Sequence, residues 1–159
     1  MTARNLLNGG QVIVDYLVRE RVPYVFGLCG HGNIGLLDAL FERASDIKTI
    51  SVHHETVAGF MADVYYRVAG RPVATFTSCG PGSANLPIAL ANAFLDSVPF
   101  LAITGNVPTS QFNRGAFQEL YRHSRPIFPR RYVPIASACS SRRAATWSPS
   151  PSAKPGRPW

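Results

Sequence analysis

IKTISVHHETVAGFMADVYYRVAGRPVATFTS, residues 47–78, reads as strand, helix, strand. IKTISV is a short apolar and β-branched run of strand length. ETVAGFMADVYYRVAG is long enough for about four helical turns. Gly70 before Arg71-Pro72 is a sound stop signal, because glycine ends helices and proline cannot continue them. PVATFTS is again strand-like. A helix between two strands, with short connections, predicts a βαβ unit and therefore parallel strands.

The same alternation extends in both directions. NGGQVIVDYLVRERV (8–22) carries Val12, Val14, Leu17, Val18 and Val22 at near-helical spacing, and PYVFGL (23–28) is a buried-strand candidate. NIGLLDALFERA (33–44) predicts a helix with Ile34, Leu37, Leu40 and Phe41 on one face. GPGSANLPIALANAFLD (80–96) is a loop opening a helix, with Pro87 tolerable only near a first turn or as a kink. VPFLAITG (98–105) is a strong strand. The expected fold is α/β: a doubly wound parallel sheet with helices on both faces, one domain over residues 1–124, and an irregular tail over 125–159. Ligands of such sheets bind beyond the carboxyl ends of the strands. The loops to inspect are therefore 27–33, 52–55, 78–84 and 105–118.

The 159 residues suffice for one domain, and 46% hydrophobic residues suit a globular core. No run of 18 apolar residues suggests a membrane span. The N-terminus lacks the unbroken apolar stretch of a secretion signal, so a cytoplasmic location is expected. Cys29, Cys79 and Cys139 are odd in number and lack metal-ligand spacing, which argues against a disulfide framework. The net charge of +7 is unevenly placed. Residues 1–121 hold eight Lys/Arg against nine Asp/Glu, whereas residues 122–159 hold eight Lys/Arg and no acid. The excess belongs to the tail, which is rich in Pro, Ser, Arg and Ala and reads as a disordered basic segment.

Several residues are candidates for chemistry, each with a plainer alternative. SCGPGSAN (78–85) is a Gly-rich turn at a helix start, either a phosphate cradle or a tight turn for which Gly80 and Gly82 supply backbone freedom. It lacks the third glycine of the dinucleotide fingerprint and the Lys-Ser/Thr of a P-loop. In LCGHGNIG (28–35), His31 projects near a strand end, as a surface residue or a catalyst, and Asn33 can cap the following helix. His53 and His54 point to opposite faces of an extended segment, so no metal site is expected. Glu55 is either an exposed helix-start carboxylate favoured by the macrodipole or a functional acid. Val52 before it and the Ala/Gly/Met-rich helix after it favour the second. Desolvation there disfavours the charged form and suits the group to sharing a proton.

YVFGLCG, VHHETVAGFMADVYYRVAGRP, TSCGPGSANLPIALANAFLDSVPFLAITGN and GAFQE occur in this order. Together they resemble the N-terminal, pyrimidine-binding domain of thiamine-diphosphate-dependent enzymes, nearest to acetolactate synthase, over residues 5–124. The resemblance implies that Glu55 bonds to N1′ of the cofactor pyrimidine and favours its imino tautomer. The imino nitrogen then takes the thiazolium C2 proton, so that the cofactor can attack a 2-keto acid. It further implies that the pyrimidine packs against the turn of Gly80, Pro81 and Asn85. Gln118 is implied to face the active site, and His31 to occupy a polar, substrate-facing position. NRGAFQE departs from the GTDAFQE of acetolactate synthases, which leaves hydrolases of cyclic diketones and other carboligases open.

The family holds the diphosphate and Mg²⁺ on a separate C-terminal domain through a Gly-Asp-Gly motif, which these residues lack. The resemblance therefore implies half a site, with no metal on this chain, completed by a homo-oligomer or a diphosphate-domain partner. It leaves FAD in the parent protein open. The chain is expected to be a truncated product, inactive alone. Relatives would continue after ELYRHS with something like QADFP. Loss of one A from CAG GCC GAT TTT CCC yields Arg-Pro-Ile-Phe-Pro, the residues at 125–129, so residues 125–159 are expected to be frameshifted. The competing functions are a nucleotide-binding α/β module with a nucleic-acid-binding basic tail, and a non-functional fragment with an exposed former interface.

Overall fold

The computed structural model describes residues 7–112 and 114–119, and the backbone of 121–122 and 125–126. Helix α1 (Gly9–Arg19) leads to β1 (Tyr24–Gly27), a 3-10 turn (His31–Asn33), α2 (Ile34–Glu42) and β2 (Lys48–Ser51). Then come α3 (Glu55–Ala69), β3 (Ala74–Thr77), the single-turn α4 (Pro81–Ala84), α5 (Pro87–Leu95) and β4 (Leu101–Thr104). The four strands form one parallel sheet in the order β2-β1-β3-β4. The expected doubly wound α/β architecture is what the chain adopts. Strands β5 (Tyr121–Arg122) and β6 (Arg125–Pro126) form a separate antiparallel pair. The rest of the expected basic tail, 127–159, lies outside the described residues.

Local chemistry sets the element ends. Asn8 and Gln11 form a reciprocal capping box at the start of α1, with bonds of 2.9 and 3.0 Å. Gly70 ends α3 in the left-handed region at φ 64°, where its N–H bonds the Tyr66 carbonyl. Pro87 does not kink a helix; it opens α5 at the first position, where a missing N–H costs nothing.

Two cores sandwich the sheet. On one face α1 and α2 bury Val14, Leu17, Leu36, Ala39 and Leu40 against Val25 and Phe76. On the other, Ala58 and Ala62 of α3 pack on Phe26, Val52 and Val73. Strand β3 is buried along its whole length, as a parallel strand covered on both faces must be. Arg67, at the end of α3, bonds both Asp63 and Asp96 and so ties α3 to the end of α5. These bonds, that to Asp63 foremost, raise the pKa of its guanidinium.

Two expected helix faces differ. Ile34 and Phe41 of α2 point outward, Phe41 82% exposed, and the buried stripe is Leu36, Ala39 and Leu40. The helix is apolar almost all round, so spacing alone does not select its inner face. Val12 of α1 is likewise exposed, and Val14 and Leu17 carry the contact.

Candidate functional site

The carboxyl ends of the strands carry loops 28–30, 52–54, 78–80 and 105–119. Strands β2 and β3 lie on opposite sides of β1. The connections diverge at the carboxyl ends of β1 and β3, where such sheets open a binding crevice. Glu55, Asn85, Ser78, Cys79, His31 and Gln118 gather around these loops.

Glu55 is the first residue of α3, whose entry is fixed by His54: its Nδ1 accepts the Thr56 N–H at 3.3 Å. The side chain is not the solvated carboxylate of an ordinary helix start, for Glu55 is only 5% exposed. Its Oε2 accepts a hydrogen bond from Asn85 Nδ2 at 2.9 Å. The Thr56 hydroxyl donates to the Asn85 carbonyl, so two adjacent residues of α3 hold the same asparagine. Gly82 lies over the carboxyl group: a Cβ there would sit 3.0 Å from Glu55 Oε1. Among the described residues, Oε1 receives no hydrogen bond.

Gly80 adopts φ 61°, a conformation that glycine takes without strain, and a side chain there would strike Gln118. Pro81 is exposed at the first position of α4. Ser78 joins the two halves of the crevice. A Cβ on Gly30 would meet Ser78 Oγ at 2.3 Å, and one on Gly82 would lie 3.3 Å from Ser78 Cβ. Ser78 Oγ is buried and has no hydrogen-bond partner among the described residues.

The other half of the crevice brings His31 and Gln118 to a common neighbour that sequence reasoning did not single out. Cys79 is 1% exposed. Its Sγ lies 3.2 Å from His31 Nε2 and 3.6 Å from Gln118 Oε1. The His31 ring also sits 6.0 Å from that of Phe117, tilted by 32°. Asn33 behaves differently from expectation. It stands at the start of α2 but makes no side-chain cap; it bonds back to Gly30 N–H and the Leu28 carbonyl, both at 3.0 Å. The buried amide thereby stiffens the loop that carries His31.

Two further concavities lie elsewhere. One of about 710 Å³ runs along the outer side of α3 past Val57, Phe60, Val64 and Ile50. Another of about 390 Å³ sits at the opposite end of the sheet, between Tyr16, Tyr66, Val73 and Leu101. Both have mainly apolar linings without a buried acid, whereas the loop cluster holds the buried Glu55.

The family model described as "Thiamine pyrophosphate enzyme, N-terminal TPP binding domain" matches residues 7–125. The chain is 41% identical over 116 residues to an acetolactate synthase of Arthrospira platensis, covering 72% of this chain and 20% of that protein. It is 37% identical over 134 residues to the acetolactate synthase isozyme 1 large subunit of Escherichia coli (strain K12), covering 83% and 24%. It is 36% identical over 113 residues to the mitochondrial acetolactate synthase catalytic subunit of Saccharomyces cerevisiae, covering 71% and 16%. The chain thus spans less than a quarter of the length of each of these relatives. With the family model matching most of its residues, this chain belongs to the thiamine pyrophosphate enzymes, as an N-terminal TPP-binding domain.

Proposed function

We propose that this chain is the pyrimidine-holding half of a thiamine-diphosphate-dependent 2-keto-acid decarboxylase or carboligase resembling acetolactate synthase. The observation that carries the reading is the buried Glu55 carboxyl group, with one oxygen held by Asn85 and the other bare beside Gly82. A flat nitrogen heterocycle fits that arrangement. It can share a proton with Oε1 and slide over a turn without side chains at Gly80 and Gly82. Thiamine diphosphate, when bound, supplies the carbon nucleophile and electron sink for 2-keto-acid chemistry.

The chain's own contribution is narrower. Glu55 offers its bare oxygen to share a proton with a bound ring, in a site from which the fold excludes most water. Asn85 fixes the carboxyl plane, and the Thr56 hydroxyl fixes Asn85. His31 and Gln118 face the substrate side of the same crevice. We assign the diphosphate and its Mg²⁺ to a separate domain, contributed by a second copy or a partner, since the family keeps its Gly-Asp-Gly motif there. On this reading the chain alone is inactive in turnover yet competent to hold the aminopyrimidine end.

Calorimetric titration of thiamine into the full chain tests this without a partner. Glu55→Gln replaces a charge-assisted hydrogen bond by a neutral one of about half the strength. Binding should weaken by about tenfold, equivalent to about 1.4 kcal/mol. Equal affinity in the wild-type chain and Glu55→Gln would remove Glu55 from the cofactor site.

A further inference from the structure

We infer that Cys79 is a positioning residue. Its thiol links His31 to Gln118, fixes the proton of the His31 ring on Nε2, and turns the amide NH₂ of Gln118 away from the sulfur. The inference deepens the proposed function, because it assigns the donors and acceptors that the crevice offers a substrate, and it rests on that reading only for naming the substrate side.

The argument is one of hydrogen-bond supply. A thiol carries a single proton. Cys79 Sγ faces two polar atoms, His31 Nε2 at 3.2 Å and Gln118 Oε1 at 3.6 Å. A carbonyl oxygen can only accept, so the S–H is committed to Gln118. The sulfur can then meet His31 Nε2 only as an acceptor, and Nε2 must carry the hydrogen. The order of donation is Nε2–H to Sγ, then Sγ–H to Oε1. Burial gives the order its force. Cys79 is 1% exposed, so water does not reach its sulfur, and the thiol has only these two neighbours to bond among the described residues.

Two further observations agree. Gln118 is held at φ 62°, a left-handed conformation that a residue with a side chain seldom takes, and its backbone lies against Gly80. Strain of this kind persists where surrounding contacts over-determine it. The three residues come from three different loops, and these loops are also locked by a close approach of Gly105 to Gly32 and Thr77. Among the described residues, nothing else bonds His31 Nδ1 or Gln118 Nε2. The crevice therefore presents one acceptor, Nδ1, on an exposed ring, and one donor pair, the Gln118 NH₂. A small oxygen function of 2-keto-acid type, with its carbonyl or carboxylate oxygen on Gln118, suits that pair.

Long-range ¹H–¹⁵N correlation of the histidine rings in the uniformly labelled full chain reads the tautomer directly, with His31→Gln assigning the signal. At a pH where the ring is neutral, His31 should show a protonated Nε2 and a bare Nδ1. Cys79→Ser keeps one proton and lone pairs in place, and should keep that tautomer. Cys79→Ala and Gln118→Leu should each release it, Gln118→Leu by freeing the Cys79 proton for Nε2. A backbone amide spectrum confirms that each variant is folded; the two reach the relay from opposite ends, so either one suffices. A wild-type His31 protonated on Nδ1, or a tautomer unmoved in a folded Cys79→Ala or Gln118→Leu chain, overturns the inference. The readout needs no cofactor. Its failure leaves the Glu55 reading standing, and an insensitive thiamine titration leaves the relay standing.

Discussion

The bond from Asn85 Nδ2 to Glu55 Oε2 is a demanding contact of the crevice, since the Glu55 carboxyl group is buried and the asparagine that holds it is half-buried. A buried polar group that loses its only donor forfeits about 1–3 kcal/mol, more when it is charged. Asn85→Ala removes that donor but leaves the backbone carbonyl that Thr56 holds. It should lower the stability of the full chain at neutral pH by about 1–3 kcal/mol, read from the urea midpoint at constant m-value. An unchanged midpoint means that the Glu55 carboxyl group is solvated, and the case for a proton-sharing acid goes with it. Much of this site was legible from residue order. Glu55, Gly80, Asn85, His31 and Gln118 were all marked by their place in recognisable motifs. Cys79 and Ser78 were not, because their importance is a matter of contacts across the fold. Cys79 meets partners 48 and 39 positions away, a distance over which no local period carries information.

Among the elements, α3 repays the attention its small residues attract. Ala58, Gly59 and Ala62 are all buried, the first and last against the sheet. Gly59 instead meets α5: a Cβ there would lie 2.4 Å from Ala89 Cβ and 3.1 Å from Leu86 Cδ1. That approach draws α5, and with it Asn85 two residues before its start, toward the beginning of α3 and Glu55. Gly59→Ala should therefore cost about 1–3 kcal/mol through overpacking, despite alanine's better helix propensity. Ala89→Gly in the same chain should restore part of it, with a coupling energy of about 0.5–3 kcal/mol in a double-mutant cycle of urea midpoints. Additive effects would mean that the two helices do not pack here. The close packing was readable from composition, and so was the strand–helix–strand order, because strand length, helix length and the Gly-Arg-Pro stop are local properties. The inward faces of α1 and α2 were less readable. A short helix carrying Ile34, Leu36, Leu37, Leu40 and Phe41 offers apolar residues in every direction, and only the sheet beneath it chooses among them.

At the scale of the whole molecule, what matters is which end of the cofactor the chain can hold. A pyrimidine-only site makes the diphosphate a bystander, so thiamine and thiamine diphosphate should bind with affinities within about threefold, or about 0.7 kcal/mol. The charge distribution interferes with a naive comparison. Residues 1–121 are nearly neutral, with eight basic and nine acidic side chains, while residues 122–159 carry eight basic ones and no acid. A tail of that sign attracts any phosphate at low ionic strength, wherever the ring sits. Screening separates the two effects: the Debye length falls from about 8 Å at physiological ionic strength to about 3 Å at 1 M salt. A preference for the diphosphate form that fades as salt is raised belongs to the tail. The expected calorimetric result is near-equal affinity at high salt, with both ligands weakened together by Glu55→Gln. A preference of tenfold or more that survives high salt would mean that this chain itself grips the diphosphate, and the division of the cofactor between two domains would have to be redrawn.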